Sequence, residues 1–170
     1  MKKPRMFILF FILLAIPDFC LAQGGKEAVA GAWKLISFEA ISPDGERKPT
    51  SFGKNPVGIV IYHPTGYVSV QYMRDPRPTF ASGSASNATP EEMKSAFFGY
   101  YAYFGTYEVN EKEGIVVHHV QASKNPPEVG IDYKRSFKIS GDRLTLTTPP
   151  QRTTDGSGMY VFELTWERVK

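Results

Sequence analysis

The sequence predicts an all-β domain, an eight-stranded antiparallel up-and-down barrel with one short helix between its third and fourth strands. Three observations carry this reading. Runs rich in Val, Ile, Tyr, Phe and Thr recur along the chain, separated by turn residues. The connections between these runs alternate between short and long. The first run carries Trp33 and the last Arg168, a ring and a cation that a closed sheet would bring together at one end.

The strand-like runs fall at 31–41, 57–63, 67–73, 100–109, 115–122, 130–139, 143–148 and 158–169. Between the third and fourth, Thr89-Pro90-Glu91-Glu92 places an N-cap threonine, proline at the first helical position and glutamate at the third. This capping box predicts a helix through Phe98, ended by Gly99. Tight connections follow the second, fourth and sixth runs, at 64–66, 110–114 and 140–142. The others are long (42–56, 74–99, 123–129 and 149–157), and of the 13 prolines only Pro4, Pro17 and Pro64 lie outside them. In an up-and-down barrel, alternate connections lie at opposite ends, so one end is sealed by hairpins and the other is an elaborate mouth. A two-sheet sandwich fits the strand count but not this alternation. Trp33 and Arg168 fall at the sealed end.

Ahead of the barrel, Lys2, Lys3 and Arg5 precede an apolar run from Met6 to Ile16 that is too short to span a bilayer. Pro17 and Asp18 break it, and Cys20-Leu21-Ala22 supplies small residues for cleavage after Ala22. Residues 1–22 are therefore expected to be a secretory signal peptide, with 23–30 a flexible lead-in and 31–170 the barrel. Phe19, in front of Cys20, does not suit lipidation. The leader holds three cations against Asp18, so its removal takes the net charge from +3 to about +1. No basic patch for nucleic acid remains, and no later run is long and apolar enough for a transmembrane helix. The single cysteine leaves with the leader, which excludes disulfides and thiol chemistry. About 148 residues suffice for one domain with its own core.

Strand periodicity then nominates the lining. With Trp33 inward, strict alternation turns Leu35, Ser37 and Glu39 inward and leaves Ile36 and Phe38 needing cover from a helix or partner. In 130–139 the apolar face holds Tyr133, Phe137 and Ile139, so Arg135 sits inside among aromatics. A buried guanidinium needs a carboxylate, carbonyls or an anionic ligand. An ion pair with Glu39 and an anchor for a carboxylate- or carbonyl-bearing ligand both remain open. The face carrying Tyr103 and Tyr107 reads as an interior wall with hydroxyl donors. In 67–73 either the valines or the set with Gln71 faces in, and the parity stays open. His118 and His119 are adjacent on a strand, so one of them faces in. Their divergence precludes joint chelation of a metal, and no cofactor motif is present.

Gly31-Ala32-Trp33 resembles the Gly-X-Trp signature of the lipocalin (calycin) superfamily. Arg168 falls where that superfamily carries a last-strand arginine packed on the tryptophan. Pro56-Val57-Gly58-Ile59-Val60-Ile61-Tyr62, Met73-Arg74-Asp75-Pro76-Arg77-Pro78 and Val117-His118-His119-Val120 are similar to the lipocalin-like domain proteins of bacteria and fungi. So is Gly141-Asp142-Arg143-Leu144-Thr145-Leu146. The chain is thus similar to a bacterial secreted member, and the resemblance implies an eight-stranded barrel with a small-molecule cavity.

The expected function is binding of a small apolar or amphipathic molecule in the barrel of a periplasmic or extracellular protein. Arg135, Glu39, Ser37, Tyr103, Tyr107, Tyr133, Gln71 and the inward histidine are the candidate ligand contacts. Gly31, Trp33 and Arg168 form the structural plug. Two alternatives stay open. One is a barrel enzyme of isomerase, cyclase or hydratase type, using His118 or His119 with Glu39 as its acid–base groups. The other is a module binding another envelope protein through the mouth or the Ile36/Phe38 face.

Overall fold

The computed structural model describes residues 26–152 and 158–170. The expected leader over 1–22, including Cys20 and the cleavage point after Ala22, lies outside the described residues, as do positions 23–25. The described chain opens with helix α1 (Lys26–Val29) and strands β1 (Gly31–Ile41), β2 (Arg47–Pro49), β3 (Val57–Tyr62) and β4 (Tyr67–Met73). Helix α2 (Pro90–Phe98) follows, then β5 (Tyr100–Asn110), β6 (Ile115–Ser123), β7 (Asp132–Ser140) and β8 (Arg143–Thr147). The last elements are β9 (Gln151–Arg152) and β10 (Met159–Arg168).

Neighbours along the sheet run β2-β1-β3-β4-β5-β6-β7-β8-β10-β9, and β1 also pairs antiparallel with β10. That additional pairing closes the eight long strands into a barrel. The sequence does not predict the two short strands. β2 pairs with β1 from Glu39 to Ile41, above the stretch that β3 reaches, and β9 pairs with β10 at Met159 and Tyr160. Both extend the wall at the mouth.

The sealed end is built as its residues require. Trp33 is fully buried, and its indole Nε1–H donates to the Val29 carbonyl at 2.8 Å. The Arg168 guanidinium lies over the ring, 3.9 Å from its centroid, and donates to the Ala30 and Ala28 carbonyls at 2.8 Å each. The guanidinium and the indole N–H thus satisfy the carbonyls of the chain's entry into the barrel. Gly31 adopts φ +118°, and a Cβ there would come 3.1 Å from Arg168 Nη1, so the glycine of the motif is fixed by backbone and space alike. From Lys26 onward the lead-in packs on the barrel: α1 buries Val29 under Trp33, and the Lys26 ammonium sits 5.3 Å from the Tyr107 ring.

Two bulges set which side chains face inward. In β1, Leu35 pairs with Trp166 but Ser37 pairs with Thr165, so Ile36 is an extra residue. A bulge reverses strand parity beyond it. In β6, Gln121 is extra, since Phe104 pairs with Ala122 and Gly105 with Val120. The strands approach so closely there that a Cβ on Gly105 would lie 1.9 Å from the His119 carbonyl oxygen.

Helix α2 carries the expected capping box. Thr89 Oγ1 accepts from the Glu92 N–H at 3.2 Å, and Glu92 Oε2 accepts from the Thr89 N–H at 2.8 Å. At its other end Arg74, Arg77 and Lys124 donate to the carbonyls of Ser95, Ala96 and Phe97, where cations complement the helix dipole. The helix buries no residue of its own and hangs beside the mouth on these contacts.

Trp33→Ala should lower the unfolding free energy by about 3–5 kcal/mol in urea titration, the usual cost of truncating a buried large aromatic. A loss below about 1 kcal/mol would show that the plug does not hold the barrel together.

Candidate functional site

Above the plug the barrel is not filled. A cavity of about 290 Å³ extends from mid-barrel to the loop-bearing end. Its floor and lower wall are Val70, His118, Leu146, Leu164 and Trp166. Aromatic rings make the upper wall, with Phe38, Phe52 and Tyr72 in mutual contact at centroid distances of 4.8–5.7 Å. Tyr101, Tyr103 and Tyr133 continue it across the barrel, again in edge contact with one another.

The polar groups are few. His118 is completely buried, with Nε2 2.8 Å from the Tyr62 hydroxyl and Nδ1 2.7 Å from the Tyr103 hydroxyl. Burial first, then the charge of Arg135, holds its pKa well below the ordinary histidine value, so the imidazole is neutral. Burial also pushes up the phenols of Tyr62 and Tyr103. The Arg135 guanidinium lies beside the Tyr103 hydroxyl and 5.1 Å from the Tyr133 ring centroid. The Tyr62 and Tyr103 hydroxyls thus engage both ring nitrogens, of which the neutral imidazole protonates one and leaves the other as acceptor. Both imidazole nitrogens are spent inside the wall, which leaves no lone pair for a ligand's proton.

Glu128, from the loop before β7, is the cavity's carboxylate. It accepts from Tyr101 Oη at 2.7 Å, Ser123 Oγ at 2.6 Å and Asn125 Nδ2 at 3.1 Å. Burial works to raise its pKa, but the hydrogen bonds from Ser123, Asn125 and Tyr101 outweigh it and hold the group below the usual carboxylate value. Arg135 pairs with neither Glu128 nor any other carboxylate among the described residues.

Arg135, Tyr103, Tyr133 and His118 are thus brought together, and the other expected contacts are not. Glu39 and Ser37 lie beyond the bulge at Ile36, which turns them outward and brings Phe38 into the cavity. Phe38 therefore needs no covering partner. Glu39 faces Glu163 across the β1–β10 pair, and Arg47 Nη1 bridges the two carboxylates at 3.0 and 2.8 Å. The expected Glu39–Arg135 ion pair does not form. Gln71 is on the outer face of β4 and accepts from Tyr100 Oη at 2.8 Å, while Val68, Val70 and Tyr72 face in. Tyr107 is buried but four residues deeper along β5 than Tyr103, about 13 Å at strand rise. There it belongs to the sealed end, donating to the His63 carbonyl at 3.2 Å. His119 points outward to Asp132 Oδ1 at 2.7 Å.

Periodicity alone did not nominate Tyr62, Tyr72, Trp166, Phe52 or Glu128. Tyr62 follows Val60 on one face of β3, and Trp166 shares the face of Leu164 in β10, so both carried a readable signal. Phe52 and Glu128 come from loops, where no period applies.

A family model described as a lipocalin-like domain matches residues 30–169. Among solved structures, EF1p2_mFAP2b bound to DFHBI is similar to this chain at 9% identity with a TM-score of 0.40, covering 84% of this chain and 95% of that one. Comparison with curated proteins gives no match.

Because His118 is neutral when folded, the unfolded chain takes up a proton below pH about 6.5 that the native state does not. Its contribution is fully present above that pH and is lost as the pH falls. Between pH 7.5 and 5.5 this should remove about 1.4 kcal/mol of stability, and His118→Gln should abolish that part of the pH dependence in denaturant titrations. Identical pH profiles for the two proteins would mean that His118 protonates in the native barrel.

Proposed function

We propose, for a chain that belongs to the lipocalin-like domain family, that it binds a small apolar or amphipathic molecule inside the barrel. The observation that carries this is the cavity of about 290 Å³, aromatic-walled and reached from the loop-bearing end, with a few directed polar groups. Apolar walls with a small number of placed donors are the usual anatomy of a small-molecule site. Arg135 and the hydroxyls of Tyr72, Tyr103 and Tyr133 would orient the ligand's polar group, with Phe38, Phe52 and Trp166 packing against its body. The volume sits at the low end of ligand pockets, which favours a compact ligand over a long chain.

The enzyme alternative names three groups that do not meet in the cavity, because His118 gives both nitrogens to tyrosines and His119 and Glu39 face outward. The leader pattern at 1–22 supports export, so the working location is periplasmic or extracellular.

A neutral fluorescent probe, N-phenyl-1-naphthylamine, should bind saturably, and Leu146→Phe, which fills the cavity, should weaken it at least tenfold with the circular dichroism unchanged. Equal binding by both proteins would place the probe outside the barrel. Expressed with its leader in a bacterial host, the chain should be recovered from the envelope or medium beginning at Gln23. Recovery of the uncleaved chain from the cytoplasm would overturn the export reading.

A further inference from the structure

We infer that the ligand is an aromatic monocarboxylate of one or two fused rings, held with its carboxylate on Arg135 and its rings between the aromatic walls. This rests on the cavity being a ligand site and goes on to name the ligand's chemistry.

Charge carries the first step. Arg135 stands on β7 between Tyr133 and Phe137, well below the mouth, yet keeps partial exposure, and that exposed surface belongs to the cavity wall. A guanidinium cannot deprotonate at this depth. Its neighbours in the barrel are phenols, and no carboxylate pairs with it among the described residues. The residue that alternation would have supplied, Glu39, is turned away and bound by Arg47. An interior cation whose neighbours are neutral phenols lacks a counter-charge and selects an acceptor bearing negative charge, and a carboxylate matches the guanidinium fork with two parallel hydrogen bonds.

The remaining polar groups agree in sign. Trp166 lines the same cavity, is 1% exposed, and its indole N–H has no partner among the described residues. The Tyr72 hydroxyl likewise donates to no described residue. A carboxylate has lone pairs to serve such donors as well as the guanidinium. A neutral alcohol can accept from them too, but it brings no charge to answer the guanidinium.

Glu128 sets both orientation and charge number. It is the cavity's one acidic lining residue among the described residues and comes from the mouth loop, so the cavity is negative at its rim and positive in its depth. A monoanion enters head first toward Arg135. A dianion would leave its second carboxylate near Glu128, where like charges repel.

Shape and size supply the ring. The walls are mostly aromatic, and their rings already lean on one another edge to face, the geometry that also receives a flat guest. A cavity of about 150 Å³ takes one benzene, so about 290 Å³ admits two fused rings with a carboxylate.

Isothermal titration calorimetry with 2-naphthoate, 2-naphthalenemethanol and naphthalene-2,6-dicarboxylate tests this at pH 7.5. The acid should bind at least tenfold more tightly than the alcohol, and the dicarboxylate at least tenfold more weakly than the acid. Arg135→Met should weaken the acid at least tenfold and leave the alcohol within about threefold. Arg135→Lys, which keeps the charge without the fork, should fall between. The comparison of the three ligands on the unaltered protein needs no variant and stands even where one fails to fold. If acid and alcohol bind equally, the inference is overturned while cavity binding stands. If none of the three binds, the inference is overturned. If N-phenyl-1-naphthylamine fails as well, the ligand-site reading falls with it.

Discussion

The pairing of β1 with β10 is the constraint on which the rest depends. A sheet that closes has no free edge to protect, and it must bring the first long strand beside the last. Trp33 and Arg168 are register partners across that seam, and their contact locks the ring where it would otherwise open. Because the chain enters and leaves at this end, the three hairpins fall there too, and every long connection is forced to the other. The division into a sealed floor and an elaborate mouth follows from closure alone.

The interior between them is held open by two kinds of group. Tyr62, Tyr103 and His118 form a stretch of wall whose polar atoms engage one another, so it can be buried without cost in unmet hydrogen bonds. Arg135 adds a charge that no apolar side chain can cover, and collapse of the cavity onto it would strand a dry cation. Aromatic rings braced against each other resist the same collapse sterically. Space and charge therefore coincide in one place.

Much of the fold was legible because its devices are local. Period-two patterning gave the strands, and Thr89 to Glu92 gave α2, since capping is written in four residues. The inward placement of Arg135 followed from the clean alternation of β7. The placement of Ser37 and Glu39 failed because a bulge adds a residue without leaving a composition signal. One hint was present: alternation carried Phe38, a large aromatic, to the outside, and a spacing of three from Leu35 to Phe38 marks a change of phase. Glu128 and Phe52 reach the cavity from loops, and their positions depend on tertiary packing that no period encodes. β2 and β9 are too short to be distinguished from loop.

The bulge at Ile36 has a reach beyond geometry. The upper part of β1 carries both Phe38 and Glu39, and a single residue of phase decides which of them the interior receives. In one phase the barrel takes in an aromatic ring, and Arg135 is left without a carboxylate among the described residues. In the other it would take in a carboxylate and approach self-sufficiency, with its charge answered from within. An unanswered and an answered interior charge thus differ by one inserted residue on β1. On the proposed reading, a small insertion or deletion in β1 would remove or restore an anion site without altering Arg135 itself.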